Sequence, residues 1–571
     1  MMTPSTVGAV RHDPLVPAIV ASIAAVGMTA ALGPALVDPL NIEWLMRGDF
    51  HVHFLGWHLY RTGPWTLPPG ATPHLMWPVG GSVGLTDSIP LAAFVFKPFS
   101  AWLPATFQFI GMWLVLSFAL QGAFGALLMQ LVTPSRWMQG LGAMLFVLSP
   151  PLIIRFGHPA LTAHWLILAA LWLALRDDAD HPSARSALWW MALAAATAAV
   201  QPYLLPMVMG IQAAVCLRQI IVTPRRAYVP AVHGVAGLTA AWASLWASGS
   251  FVVPNADGLT LGGFGTYSAN LLTFVMPSQS QTLLAPGYFA QANPSQYEGY
   301  SYLGAGTLML GAVVVLSALR APRPSQWWAV IRRRLPLIAA LLFLTAMAVG
   351  PVVTAGSQVL ASYDARWWGP LTVFRSHGRM IWALHYALVA AIAFAATRFA
   401  PRTAVALLAV AVAVQAVDVA GMRRDLHSPN DFGFRDPLVS RFWTVAAPHF
   451  ERLVLVPTNL CDRNGAIDYR AFGLLAGRHG LALNAGSASR HDGRRAAEYS
   501  QAMARELREG LAEPGTLYVV RPDLLPEVRA TSARRGTECT VVDGFGVCFA
   551  QAGTQAWREQ AGLGRTAPDV R

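Results

Sequence analysis

Asp49 is followed by His51 and His53 in the stretch NIEWLMRGDFHVHFLGWHLYRTGPW (41–65). Acidic residues are scarce across the first 420 positions. A carboxylate just after an apolar run able to cross a bilayer, Leu15 to Leu36, is therefore a candidate for chemistry rather than solubility. If 48–61 is helical, Asp49, His53, Gly56 and Tyr60 share one face. Such a carboxylate can act as a general base on an acceptor hydroxyl. It can join His51 or His53 in holding a divalent cation, Mg or Mn. It can also simply cap the helix. A second carboxylate, Asp87, lies in GGSVGLTDSIP (80–90), where Gly80, Gly81 and Gly84 allow tight backbone near a ligand. The plain alternative is a turn and a helix N-cap.

Cations gather further along. SPPLIIRFGHPALTAHW (149–165) places Arg155 and His158 at a helix end, and VFRSHGRMIW (373–382) crowds Arg375, His377 and Arg379 ahead of an apolar run. A cation at a membrane edge needs an anion, and a monophosphate or diphosphate headgroup suits this set. Interfacial snorkelling is the plainer reading. The segment 249–300 contains no lysine or arginine and ends in NPSQYEGYSYLG (293–304). There Tyr297, Tyr300, Tyr302 and Glu298 can stack on and hydrogen-bond a sugar-like acceptor, or the tyrosines can sit in an interfacial belt.

The elements that must position these residues are mostly membrane spans. The hydrophobic share is 54% and the charged share 12%, against about 25% charged in ordinary soluble domains. Apolar runs predict an α-helical polytopic membrane protein with about eleven spans, near 15–36, 107–131, 140–154, 161–175, 187–203, 204–221, 229–248, 301–319, 335–350, 380–397 and 403–420. The segment 88–104 carries Lys97 and three prolines and reads as interfacial or re-entrant. With this layout the short loops of one parity hold runs such as Arg225-Arg226 and Arg332-Arg333-Arg334. The opposite, longer loops hold only Arg47, Arg61, Lys97, Arg155, Arg366, Arg375 and Arg379. The bias puts the N-terminus in the cytoplasm and the candidate residues on the outer face. The net charge of +12 is thus a topology signal, not nucleic-acid affinity. Nucleotide-binding, zinc-finger and Ser-His-Asp signatures are absent.

From about Met422 charges become frequent and apolar runs shorten to strand length, so 1–421 is expected as a transmembrane domain with a first outer loop, 37–106, and 422–571 as a small soluble α/β domain. Cys539 and Cys548 flank VVDGFGV. A two-residue turn at Asp543-Gly544 would face the two cysteines across a non-hydrogen-bonded pair, at a distance that suits a disulfide. An oxidising outer compartment agrees with that.

The segments GDFHVHFLGWHLYR, TDSIPL, SPPLIIRFGH, EGYSYLG and FRSHGRM, with an Asp soon after the first span, interfacial helices in the first loop and a soluble outer tail, together resemble an uncharacterised bacterial branch of the GT-C superfamily of integral-membrane glycosyltransferases. The resemblance implies a bacterial inner-membrane enzyme that transfers a sugar, with inversion, from a polyprenyl-phosphate donor to an envelope glycan, lipid or protein on the periplasmic face. Asp49 would be the general base, and Arg155, Arg375 and Arg379, with His158 and His377, would hold the donor phosphate. Some members use a divalent ion. Asp49 lacks the paired acidic neighbour, standing between Gly48 and Phe50. The alternatives from other classes are a transporter or flippase for a lipid-linked or amphipathic solute, and a non-catalytic envelope assembly protein.

Overall fold

The computed structural model describes residues 13–176, 180–253, 263–277, 290–320, 327–425, 433–461, 465–550 and 555–561. It divides into two compact units. One takes in 1–39, 109–244 and 260–431; the other takes in 40–108, 245–259 and 432–571. The stretch 40–108, expected as a loop of the transmembrane domain, thus packs with the C-terminal tail. The reason is apolar: Leu59, Leu75 and Met76 lie in the same buried cluster as the tail residues Phe442, Trp443, Leu453, Phe472 and Leu483.

The first unit is helical. Among the described residues five helices are long and apolar enough to cross a membrane: Leu15–Leu32, Ile110–Gln130, Pro202–Val222, His377–Ala396 and Pro401–Asp418. The pair Arg136–Val147 and Pro150–Gly157, bent by 49°, makes a sixth if read as one span. On length and apolarity alone, five or six of the eleven expected spans are thus met among the described residues. Prolines and short 3-10 turns break some helix ends, as at Pro150-Pro151 and Pro159. Small residues let the helices close up: a Cβ at Gly122 would lie 3.0 Å from Val20, and one at Gly125 3.3 Å from Ala143. The Ala305–Arg320 helix takes its N-terminal cap from another helix. Asp418 accepts from the Ala305 N–H at 2.7 Å and Gln415 from the Thr307 N–H at 3.1 Å.

In the second unit the tail builds a five-stranded sheet from β1 (Arg452–Val456), β2 (Ala482–Leu483), β3 (Thr516–Val520), β4 (Thr537–Val542) and β5 (Phe545–Ala550), in the order β2-β1-β3-β5-β4. The first three strands are parallel, and β5 and β4 are antiparallel. This is the α/β pattern that alternating strands and helices predict. β4 and β5 turn at Asp543 (φ 48°) and Gly544 (φ 82°), the left-handed pair of a tight hairpin. Cys539 stands opposite Cys548 and is disulfide-bonded to it, with Cα atoms 4.2 Å apart. The other edge of the sheet is covered by the early segment: the Leu483 N–H donates to the His74 carbonyl at 2.8 Å and the Trp77 N–H to the Leu483 carbonyl at 2.8 Å.

Two helices of 40–108 cap each other. Lys97, at the end of Pro90–Phe96, donates to the carbonyls of Tyr60, Gly63 and Pro64, which close the Phe50–Thr62 helix. Arg61 returns the arrangement, donating to Ser100, Leu103 and Pro104. The outward side of the second helix presents Leu91, Val95 and Phe99 at helical spacing, with Trp102 beyond.

Candidate functional site

Asp49 sits at the N-cap of the Phe50–Thr62 helix, exposed, and its side chain makes no capping hydrogen bond there. The helix behind it is almost wholly buried, so the carboxylate stands on a firmly packed support. His53, one turn on, pairs through Nδ1 with the Asp87 carbonyl at 2.8 Å. Ser88 donates to the His53 carbonyl at 2.7 Å. Gly56 allows this approach, because a Cβ there would lie within 2.6 Å of Thr86. Asp87 and Ile89 both adopt left-handed backbone, with φ 52° and 50°, which costs energy in a β-branched residue and is enforced by the surrounding hydrogen bonds. The loop thereby brings Asp87 to the same end of the helix as Asp49.

Among the described residues no three His, Cys, Asp or Glu side chains group to hold an ion. His51 pairs with the Gly48 carbonyl and, at 2.9 Å, with the Tyr469 hydroxyl.

In the other unit, Glu298 is buried between two guanidinium groups. Arg155 reaches it at 2.9 Å, and Arg379 binds both carboxylate oxygens, at 2.9 and 2.8 Å. Arg155 also donates to the carbonyls of Tyr297 at 2.8 Å and Glu298 at 3.0 Å. Burial alone would raise the Glu298 carboxyl, but the Arg379 and Arg155 charges overcome it and hold the group at about 2. The cations are braced by rings: Arg155 stands 5.3 Å from Trp382 and Arg379 4.6 Å from Tyr203. Two charges of one sign and one of the other leave the cluster with an excess positive charge, and half-buried His158 adds to the field on Glu298.

Glu298 is thus held by both arginines. Tyr300 and Tyr302 are buried, whereas Tyr297 is 37% exposed. Arg375 is exposed, its guanidinium 5.4 Å from the Tyr267 ring. His377 is buried, held by the Gly350 carbonyl at 2.6 Å and stacked on Phe264. The sequence reading missed Tyr203, Trp382, Tyr469 and Arg470. Trp382, three residues beyond Arg379, was the one with a signal.

A family model described as a domain of unknown function (DUF6311) matches residues 21–420, and the model of the DUF6311 C-terminal domain matches 442–550. The chain belongs to this family. No curated protein matches it. Among solved structures, this DUF6311 chain is similar to the crystal structure of ArnT from Cupriavidus metallidurans bound to undecaprenyl phosphate, at 12% identity and a TM-score of 0.47, over 93% of this chain and 99% of that one. It is also similar to the archaeal oligosaccharyltransferase AglB from Archaeoglobus fulgidus in complex with an inhibitory peptide and a dolichol-phosphate, at 11% identity and a TM-score of 0.37, over 94% of this chain and 74% of that one.

Proposed function

We propose that the protein is a membrane glycosyltransferase that moves a sugar from a polyprenyl-phosphate donor to an envelope acceptor on the periplasmic face of the bacterial inner membrane. The observation that carries this reading is the exposed Asp49 carboxylate on a buried helix whose start is tied down on several sides. A general base must meet the acceptor hydroxyl while its support stays still. Asp49 takes the hydroxyl proton as the oxygen attacks the anomeric carbon, the bond to the phosphate oxygen breaks, and the sugar inverts. Asp87, at the same helix end, orients the acceptor. The leaving phosphate needs positive charge, which exposed Arg375 supplies directly. The Arg155–Glu298–Arg379 cluster supplies it through its excess cation, with His158 beside it. The three buried charges cannot each bind phosphate, because Glu298 already claims both arginines. The exposed Tyr297 ring is the remaining candidate to face a sugar.

Incubation of the purified chain with radiolabelled polyprenyl-phosphate sugars and envelope extract tests the reading. Label appears in an envelope product if it is right. Recovery of all label in the donor, with every common polyprenyl-phosphate sugar tried, contradicts it.

A further inference from the structure

We infer that the C-terminal domain positions the Asp49 carboxylate, with Tyr469 and Arg470 acting through His51 and the Met46 carbonyl. The inference deepens the proposed function and rests on Asp49 being the base. Asp49 lies between two points that one tail segment holds. On one side, Arg470 donates to the Met46 carbonyl at 2.6 Å, while Asp468 braces its guanidinium at 2.9 Å. On the other, the Tyr469 hydroxyl meets His51 Nε2 at 2.9 Å, across 418 positions of sequence. His51 in turn bonds through Nδ1 to the Gly48 carbonyl, the residue immediately before Asp49.

The chemistry of these contacts fixes a tautomer. A carbonyl only accepts, so Nδ1 carries the His51 proton, and the Nε2 lone pair accepts from the Tyr469 hydroxyl. Burial lowers the tendency of His51 to protonate and keeps it in the neutral form that this chain of bonds requires. Beyond His51 the Arg470–His479 helix follows the Phe50–Thr62 helix at close range. A Cβ on Gly473 would stand 2.9 Å from Leu55, Gly477 lies against the His58 ring, and His58 Nε2 donates to the Leu474 carbonyl at 3.1 Å. The tail thus grips the Asp49 turn before the carboxylate, at Met46, and after it, at His51 and along the helix. A displacement of about 1 Å at a catalytic group can cost on the order of a hundredfold in rate, which gives such a grip a function beyond folding.

Two measurements test it. In full-length protein labelled with 15N-histidine, the His51 signal is identified by its loss in His51→Gln. It should report a protonated Nδ1 and a bare Nε2, and Tyr469→Phe should shift the Nε2 resonance. A wild-type His51 protonated at Nε2 overturns the inference. In transfer assays with radiolabelled polyprenyl-phosphate sugar and envelope extract, Tyr469→Phe should lower kcat roughly tenfold with an unchanged donor KM. It should also move the acid limb of the kcat profile upward, because Nε2 loses a donor that favours its neutral form. The charged groups facing His51 are Asp49, Asp468 and Arg470, and none of them changes in that variant. Tyr499→Phe removes another buried tail hydroxyl, bonded to Asn484 at 2.9 Å, and should leave kcat as it was. Equal kcat in Tyr469→Phe and wild type overturns the positioning role. If Asp49→Asn abolishes transfer in that same series, the base survives and only the grip fails; if Asp49→Asn transfers normally, the base itself fails.

Discussion

Lys97, the only lysine in the chain, holds its ammonium 3.8 Å from the Tyr60 ring centroid and donates to the Tyr60 carbonyl at 2.8 Å. Two further carbonyls, of Gly63 and Pro64, lie at 3.2 Å, and the Trp65 ring at 4.7 Å. An ammonium has three donors on one compact atom, which matches three carbonyls at one helix end. A planar guanidinium spreads its donors over a fork, as Arg61 does across the Ser100, Leu103 and Pro104 carbonyls, and does not converge them on a single point. In a chain that otherwise uses arginine throughout, the exception has this local reason.

Lys97→Met should therefore cost about 1–3 kcal/mol of stability through the stranded carbonyls, and Lys97→Arg should not restore it. Thermal unfolding in detergent measures both. An arginine variant as stable as the wild type contradicts the cap.

Glu298→Gln leaves two buried guanidinium groups without their counter-charge. Losing one partner of such a cluster costs about 3–5 kcal/mol, and the expected outcome is poor recovery from the membrane. The pH dependence follows from a carboxyl held at about 2 in the fold against about 4.5 in the unfolded chain. The folded pKa is the lower one, so the contribution is complete above about 4.5 and is lost as pH falls through about 2. Wild-type melting temperatures should drop across that window. A wild type whose melting temperature is flat between pH 5 and pH 2 contradicts the assignment.

Gly477→Ala puts a methyl into the His58 ring, within two packed helices. The helix would gain about 1 kcal/mol from propensity, but the clash outweighs that gain, since overpacking costs about 1–3 kcal/mol. The variant should be less stable than the wild type. Gly493→Ala, with open space around its Cβ, serves as the comparison. A stabilised Gly477→Ala would show that the two helices do not approach as described.

The membrane class, the α/β tail and the pairing of Cys539 with Cys548 were legible because each depends on local pattern: apolar length, strand-length runs, and a Asp543-Gly544 turn that sets register by two residues. The partners of Arg155 and Arg379 were not. Glu298 stands 143 and 81 positions away from them, so the arginines read as phosphate ligands when half their charge is already answered. The burial of Tyr300 and Tyr302 was hidden for a related reason. A tyrosine-rich segment has the same composition whether it lines a surface or fills a core, and only burial distinguishes the two. The grip of Tyr469 and Arg470 on the Asp49 turn was invisible because the tail looked self-contained, while its sheet edge and core include residues 59–77.

The central claim is that Asp49 accepts the proton of the attacking hydroxyl. The direct measurement compares wild type, Asp49→Asn and Asp49→Glu in transfer of radiolabelled sugar from polyprenyl phosphate to envelope extract, at matched folded protein. Asp49→Asn keeps the shape and removes the base, so transfer should fall by about a hundredfold or more, with Asp49→Glu partly active. Wild-type rates in Asp49→Asn would contradict the account.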